Sequence, residues 1–187
     1  MKFSILICSL NRRARYLNAL KAILQPQMTD EVEVLVSIDD GQESIGSKRQ
    51  RLLNSANGEY IAFVDDDDVV SSDYVKLILE GIKKKPDVIG IHLIMRTDGV
   101  LSGLTYHSLK YNTWYDEAVP GQHFRKYYRN PNHLNPVKKE LALKAGFPSI
   151  SMGEDRNYSA ALLPYLKTEY YIESPIYFYK VRTHKEV

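Results

Sequence analysis

Four consecutive carboxylates, Asp65-Asp66-Asp67-Asp68, close the apolar run Tyr60-Ile61-Ala62-Phe63-Val64. Adjacent anions repel, and a hard divalent cation among their oxygens relieves the repulsion. In an extended segment residues i and i+2 share a side, so Asp65 and Asp67 can face one ligand together. Mg²⁺ keeps several waters and takes few protein carboxylates, so not all four should ligate. A solvated acidic loop is the plain alternative. Asp39-Asp40-Gly41 ends another apolar run, where an ordinary turn is the competing reading. Gly153-Glu154-Asp155 opens a helical stretch, where a carboxylate also serves as a structural cap. Between Ala118 and Lys139 no acidic residue occurs, while Arg125, Lys126, Arg129, Lys138 and Lys139 alternate with Phe124, Tyr127, Tyr128 and two histidines, His123 and His133. Stacking and phosphate contacts use such a basic and aromatic surface, and sugars stack on aromatic rings too; a mobile solvated loop is the other reading.

The elements that would position these groups alternate. Phe3 to Cys8 reads as a strand buried on both faces, and Tyr16-Leu17, Leu20 and Ile23-Leu24 recur at helical spacing before Pro26. Val32 to Ile38 is a second strand, Ser47 to Ala56 a second helix stopped by Gly58, and Tyr60 to Val64 a third strand. Ser72 or Asp73 caps a helix through Lys84, and Val88 to Met95 is a fourth strand. This order predicts an α/β fold with a mostly parallel sheet and right-handed crossovers. Beyond Met95 the pattern changes: Thr97-Asp98-Gly99 is a hairpin turn, Asn135-Pro136 opens a short helix ending near Gly146, and a helix from Gly153 runs to about Leu163. Tyr170 to Ile172 and Ile176 to Val181 are closing strands.

The 187 residues, 44% of them hydrophobic, suffice for one domain with a real core. Lys and Arg number 25 against 23 Asp and Glu, so a net charge of +2 gives no global signal for nucleic acid or membrane. The single cysteine, Cys8, excludes an intrachain disulfide and suits a reducing, cytoplasmic setting. No apolar stretch approaches the ~20 residues of a membrane span, and the Met1–Cys8 run is too short for a signal peptide.

Taken in order, Ser9-Leu10-Asn11-Arg12, Ile38-Asp39-Asp40-Gly41, Arg49, Ala56, Gly58-Glu59-Tyr60-Ile61, the acidic cluster and Gly153-Glu154-Asp155 resemble the family 2 glycosyltransferases with the GT-A fold. The resemblance covers nearly the whole chain. It implies one GT-A domain over 1–187, with a nucleotide-sugar half at 1–95 and an acceptor half, partly antiparallel, at 96–187. The implied reaction is inverting transfer of a hexosyl or N-acetylhexosaminyl group from a UDP-sugar to an acceptor hydroxyl, with Mn²⁺ or Mg²⁺ on the diphosphate. Asp65 and Asp67 match the family's D-x-D pair. Asp67 is the implied metal contact, with Asp65 and Asp66 nearer the ribose or a supporting position. On the donor side the resemblance places Cys8, Ser9, Asn11, Asp40 against the base, and Arg49; Lys48 and Arg51 read as helix surface. Asp155 matches the catalytic carboxylate, as a base for the acceptor alcohol. Arg182 and His184 match a tail in which His184 completes the metal shell or, together with Arg182, touches the diphosphate, a solvated histidine being the plain alternative. Glu154, Arg125, Arg129 and His133 fall on the acceptor side. The acceptor is a glycan, with a hydroxymethylated DNA base as a variant; neither membrane insertion nor a protein partner is called for. The chain is short for a processive, membrane-embedded polymer synthase.

Two rival readings come from other classes. Val64-Asp65-Asp66-Asp67-Asp68-Val69 also fits a haloacid-dehalogenase-like phosphatase with Asp65 as nucleophile, although roughly sixty residues precede the motif and Arg156-Asn157-Tyr158-Ser159 lacks the acid such an enzyme needs. A non-catalytic protein that binds a nucleotide sugar is the other.

Overall fold

The computed structural model describes residues 1–183. Strand β1 (Phe3–Leu10) leads through a 3-10 turn at Asn11–Arg13 into α1 (Ala14–Leu24), and β2 (Val32–Asp39) into α2 (Ile45–Ser55). Ser44 caps α2, its side chain accepting from Ser47 N–H at 3.2 Å. Then follow β3 (Tyr60–Phe63), β4 (Val69–Val70), α3 (Tyr74–Ile82), β5 (Val88–Thr97), β6 (Val100–His107), β7 (Tyr115–Ala118) and β8 (Arg125–Arg129). The chain closes with β9 (Val137–Lys138), α4 (Lys139–Ala145), α5 (Glu154–Leu162) and β10 (Glu169–Val181).

One ten-stranded sheet runs through the fold, in the order β2-β1-β3-β9-β5-β6-β8-β7, with β10 beside β5 and β4. β1 pairs parallel with β2 and β3, β10 parallel with β5, and β6 parallel with β8. The Asp98-Gly99 turn joins β5 to β6 with both residues at positive φ (48° and 86°), the geometry a two-residue hairpin demands. The sheet is covered on both faces, so the buried strands are mostly apolar on both sides. Phe3, Ile5 and Ile7 of β1 and Tyr60 and Ala62 of β3 pack on the α1/α3 side, while Leu6, Ile61 and Phe63 pack on the α2/α4/α5 side. α2 approaches the chain at 148–150 so closely that a Cβ on Gly46 would stand 1.8 Å from Pro148 O, leaving room only for glycine.

Three expectations are corrected. Asn135-Pro136 does not open a helix: Asn135 is fully buried and gives its amide to Ile89 O (2.9 Å) while accepting from Asn132 N–H (2.9 Å). Those bonds hold the chain extended, Val137–Lys138 pairs with β3 and β5, and α4 starts only at Lys139. α3 ends at Ile82 rather than Lys84, and Asp73 precedes it without a capping bond. The two closing strands are one strand, with an irregular register around Pro175, where the missing N–H breaks the ladder.

The buried His107 on β6 makes stability pH-dependent. Burial pushes its imidazole from the ordinary 6.5 down to about 3, against a hydrogen bond between Nδ1 and Asn135 Oδ1 at 3.2 Å. The unfolded chain takes up this proton near pH 6.5 and the folded one only near pH 3, so stability is lost as pH falls through that window. Between pH 6.5 and 5 the loss from this group is roughly 2 kcal/mol, at about 1.4 kcal/mol per pH unit. Urea midpoints at pH 7 and pH 5 should therefore differ less for His107→Gln than for the parent; an equal difference would clear His107 of the effect.

Candidate active site

The acidic cluster bridges the carboxyl end of β3 and the start of β4, not as the expected extended segment but as a turn closed by Asp68 N–H on Asp65 O (3.1 Å). Asp66 and Asp68 are buried at 2% and 3% exposure, while Asp65 and Asp67 keep 32% and 28% of their side-chain surface open. Asp68 is an anchor. Its Oδ2 accepts from the Tyr177 hydroxyl (2.8 Å) and its Oδ1 from Lys180 N–H (2.8 Å), while the Tyr177 oxygen also accepts from Asp65 N–H (3.1 Å). Burial and the Asp65 charge push the Asp68 carboxyl up to about 8. Asp66 accepts from Ser9 Oγ (2.5 Å) and pairs with Arg13 (2.9 Å), and burial raises it as well. Asp66 is thus tied into the floor rather than turned toward a ribose, and Ser9 holds it there instead of meeting a donor.

The two open carboxylates are ringed by cations. Arg13 and Arg182 reach Asp67 Oδ2 at 2.5 and 3.1 Å, and Arg182 Nη2 also donates to Asp67 O at 3.1 Å. Asp65 Oδ1 accepts from Arg49 Nη2 at 3.1 Å, and its Oδ2 lies 3.6 Å from His133 Nε2. Burial alone would raise Asp65, yet His133 and Arg49 outweigh it and hold the carboxyl well below the usual carboxylate range. Arg49, 4% exposed, also donates through Nη1 to Glu154 Oε1 at 2.6 Å, with its guanidinium over the Phe63 and Phe147 rings at 5.7 and 6.0 Å. One side chain therefore ties the acidic turn to the start of α5.

That start is where Asp155 sits. Gly153, in the left-handed region at φ 78°, takes the N-cap position, so Asp155 is not the cap. It is half-buried, and its Oδ1 accepts from Arg156 N–H at 2.7 Å. Arg49, bonded to both Asp65 and the adjacent Glu154, brings it to the same side of the molecule as Asp65. Tyr179 feels Asp65, Asp67, Asp68 and Asp155 together: burial first, then those charges, raise its phenol.

Over the first two strands Asn11 Nδ2 donates to the exposed Asp40 Oδ1 at 2.8 Å, and the half-buried Cys8 thiol is pushed by burial up to about 12, so it stays protonated. Lys48 is not helix surface. At 3% exposure it donates to Ser9 O (3.0 Å) and pairs with Asp39, locking the ends of β1 and β2 together. Arg51 donates to Ser37 Oγ (2.8 Å) and Glu43 (2.6 Å).

The basic and aromatic segment is not one surface. Arg125, Tyr127 and Arg129 share one face of β8, and Lys126 and Tyr128 the other. Tyr128 joins a row of rings, His92-Tyr106-Tyr128-Tyr115, with successive centroids at 4.7, 5.6 and 4.7 Å. Lys138, in β9, pairs with Asp87 (2.9 Å) and Lys139, opening α4, donates to Ala56 O, both away from β8. Arg125 is spent on Asp116, and Glu154 on Arg49, so neither stands ready for an acceptor. His133 is 5% exposed and faces Asp65, which puts it against the acidic cluster rather than on an outer acceptor wall. His184 lies outside the described residues. Arg13, Tyr177 and Tyr179 went unnoticed in the sequence-based site because each reaches the cluster only through the fold.

Asp65 and Asp67 offer hard oxygen donors on one open side, a set that fits a divalent cation retaining most of its waters. Among the described residues no three His, Cys, Asp or Glu side chains converge into a closed cage, so any cation here would share its shell with solvent or a ligand's oxygens.

Known proteins bear on the chain at this point. Crystal structures of S. aureus TarS 1–349 superpose with TM-scores of 0.71 in complex with UDP and 0.69 in complex with UDP-GlcNAc. Identities are 18% and 17%, over 97% and 99% of this chain and 61% and 60% of those chains. The chain thus spans about three-fifths of the length of these structures, and it shares their GT-A fold. No curated protein matches the sequence. No helix among the described residues is long and apolar enough to cross a membrane. The profile described as "Glycosyl transferase family 2" matches residues 42–142, more than half of the chain and including Arg49, the acidic cluster and His133, which removes the phosphatase reading: the chain belongs to glycosyl transferase family 2.

Proposed function

We propose that the protein transfers a sugar from a UDP-sugar to an acceptor hydroxyl with inversion at the anomeric carbon. The observation that carries this reading is the pair of open carboxylates, Asp65 and Asp67, set among Arg13, Arg49 and Arg182 on the side that Asp155 also faces. The leaving nucleoside diphosphate gains negative charge as the glycosidic bond breaks, and fixed cations beside it lower the barrier. Arg13 and Arg182, held by Asp67, are the side chains positioned to turn to that pyrophosphate. Mn²⁺ or Mg²⁺, held by Asp67 with Asp65, would supply further positive charge to the same oxygens. Asp155 takes the proton of the acceptor hydroxyl as it attacks, and direct attack inverts the centre. Asp40 and Asn11 stand where the base would lie, and a carboxylate suits the N–H donor of uracil. The UDP and UDP-GlcNAc held by the superposed TarS structures make UDP-GlcNAc the first donor to try. The acceptor is a carbohydrate or polyol: the separation of Lys126, Lys138 and Lys139 from Arg125 and Arg129 leaves no continuous basic track for a DNA strand.

Thermal denaturation with UDP, with and without Mn²⁺, tests the donor side. A ligand at a hundredfold its Kd adds about 2.7 kcal/mol to folding, enough for a shift of several degrees. The shift with UDP and Mn²⁺ should exceed that with UDP alone and should vanish in Asp67→Ala. Equal shifts for parent and variant would refute the metal assignment; transfer activity from UDP-GlcNAc separates an enzyme from a silent binding protein.

A further inference from the structure

Two guanidinium groups meet around one ring beside Asp155. Arg129, at the end of β8, stands 4.8 Å from the centroid of Trp114, and Arg156, the residue after Asp155 on α5, stands 6.0 Å from it. Like charges gathered at one point repel, and proteins neutralise such pairs with a carboxylate. Here none does so. Among the described residues no Asp or Glu oxygen comes within 4.0 Å of either guanidinium: Asp116 is taken by Arg125, and Asp155 accepts the main-chain N–H of Arg156. Arg129 Nη1 reaches only main-chain oxygens, Tyr115 O and Tyr128 O, at 3.3 and 3.4 Å, which is long for a charged donor. Burial lowers Arg129, and Arg156 adds to that push.

We infer that Arg129 and Arg156, gathered by Trp114, form a subsite for a phosphate group carried by the acceptor. Guanidinium forks match phosphate oxygens in pairs, and two forks brought to one ring from different elements suit a tetrahedral anion better than a planar carboxylate. The donor's own phosphates have other cations, Arg13 and Arg182, both paired with Asp67. A hydroxyl poised at Asp155 would belong to a molecule whose neighbouring atoms lie against Arg156 and Arg129. The acceptor class this selects is a phosphorylated sugar or polyol, not a neutral glycan. The inference rests on the transferase reading for which molecule carries the phosphate.

Ligand-observed NMR of the whole protein with UDP and Mn²⁺ present tests it, using glycerol 1-phosphate and glucose 6-phosphate against glycerol and glucose, with a short DNA duplex alongside. The phosphates should bind in preference to their neutral counterparts. Arg156→Gln, at a solvent-exposed position, should weaken phosphate binding roughly tenfold, the worth of one charge-assisted hydrogen bond. Addition of Arg129→Gln should abolish it, and UDP affinity should not move in either variant. Equal binding of neutral and phosphorylated compounds, or an unchanged phosphate affinity in Arg156→Gln, would overturn the subsite. Preference for DNA over both phosphates would overturn the sugar or polyol class in favour of a nucleic-acid acceptor. Failure of UDP to bind the parent protein would refute the donor reading, while loss of phosphate binding in Arg156→Gln under the same conditions would still uphold the anion subsite.

Discussion

Asp155→Asn is expected to lower kcat for sugar transfer by about 10²- to 10⁴-fold, the usual worth of a positioned general base, and to leave UDP affinity unchanged. On the proposed mechanism the residue serves chemistry rather than folding. Gly153 takes the cap position of α5, and only Oδ1 of Asp155 has a hydrogen-bond partner among the described residues, the N–H of Arg156 at 2.7 Å. An asparagine oxygen can keep that bond, so the helix start should survive while the proton acceptor is lost. Steady-state transfer from UDP-GlcNAc, together with calorimetric titration of UDP, reads the two effects separately. A variant with parental kcat would remove Asp155 from the mechanism. A variant that also loses UDP binding and melts early would make the residue structural after all.

Arg49→Ala should cost about 3–5 kcal/mol of folding stability, the range for breaking a buried ion pair and leaving its partner charged. Here two partners are stranded. Glu154, 7% exposed, loses its bond at 2.6 Å, and Asp65 loses one of the two cations that keep it ionised. Water cannot easily replace a group packed against the touching rings of Phe63 and Phe147. Arg49→Lys should recover little, since one ammonium cannot span two carboxylates as a planar fork does. Removing Glu154 as well, in Arg49→Ala/Glu154→Gln, should restore part of the loss, because a stranded charge is then gone. Urea denaturation of the three variants measures this. A loss in Arg49→Ala below about 1 kcal/mol, typical of exposed pairs, would mean that solvent already screens the cluster.

Local patterns carried much of the architecture. Apolar runs of four to eight residues separated by helical spacing were enough for the parallel strands, because a sheet covered on both faces writes its burial into every consecutive residue. The acidic run was expected to be extended, and nothing in its four identical side chains marked the turn that Asp68 N–H closes on Asp65 O. What else escaped was held by distant partners. Nothing near Asp68 announces the Tyr177 hydroxyl, and nothing near Glu154 announces Arg49, 105 residues earlier. Lys48 looked like surface because its helix is polar; its burial depends on Asp39 and Ser9 O, which only the packed sheet presents. The short strand at Val137–Lys138 was masked by Asn135-Pro136, whose helix-opening chemistry yielded to tertiary bonds at Asn135.

The Tyr177 and Lys180 clasp on Asp68 spans 109 and 112 residues of sequence. On the ribosome, the first three strands and the acidic turn emerge long before the segment that pins them, and distant pairings of this kind close slowly. The nascent protein therefore carries an unclasped anionic tip through most of its synthesis, and nucleotide recognition should switch on only once residue 180 has left the exit tunnel.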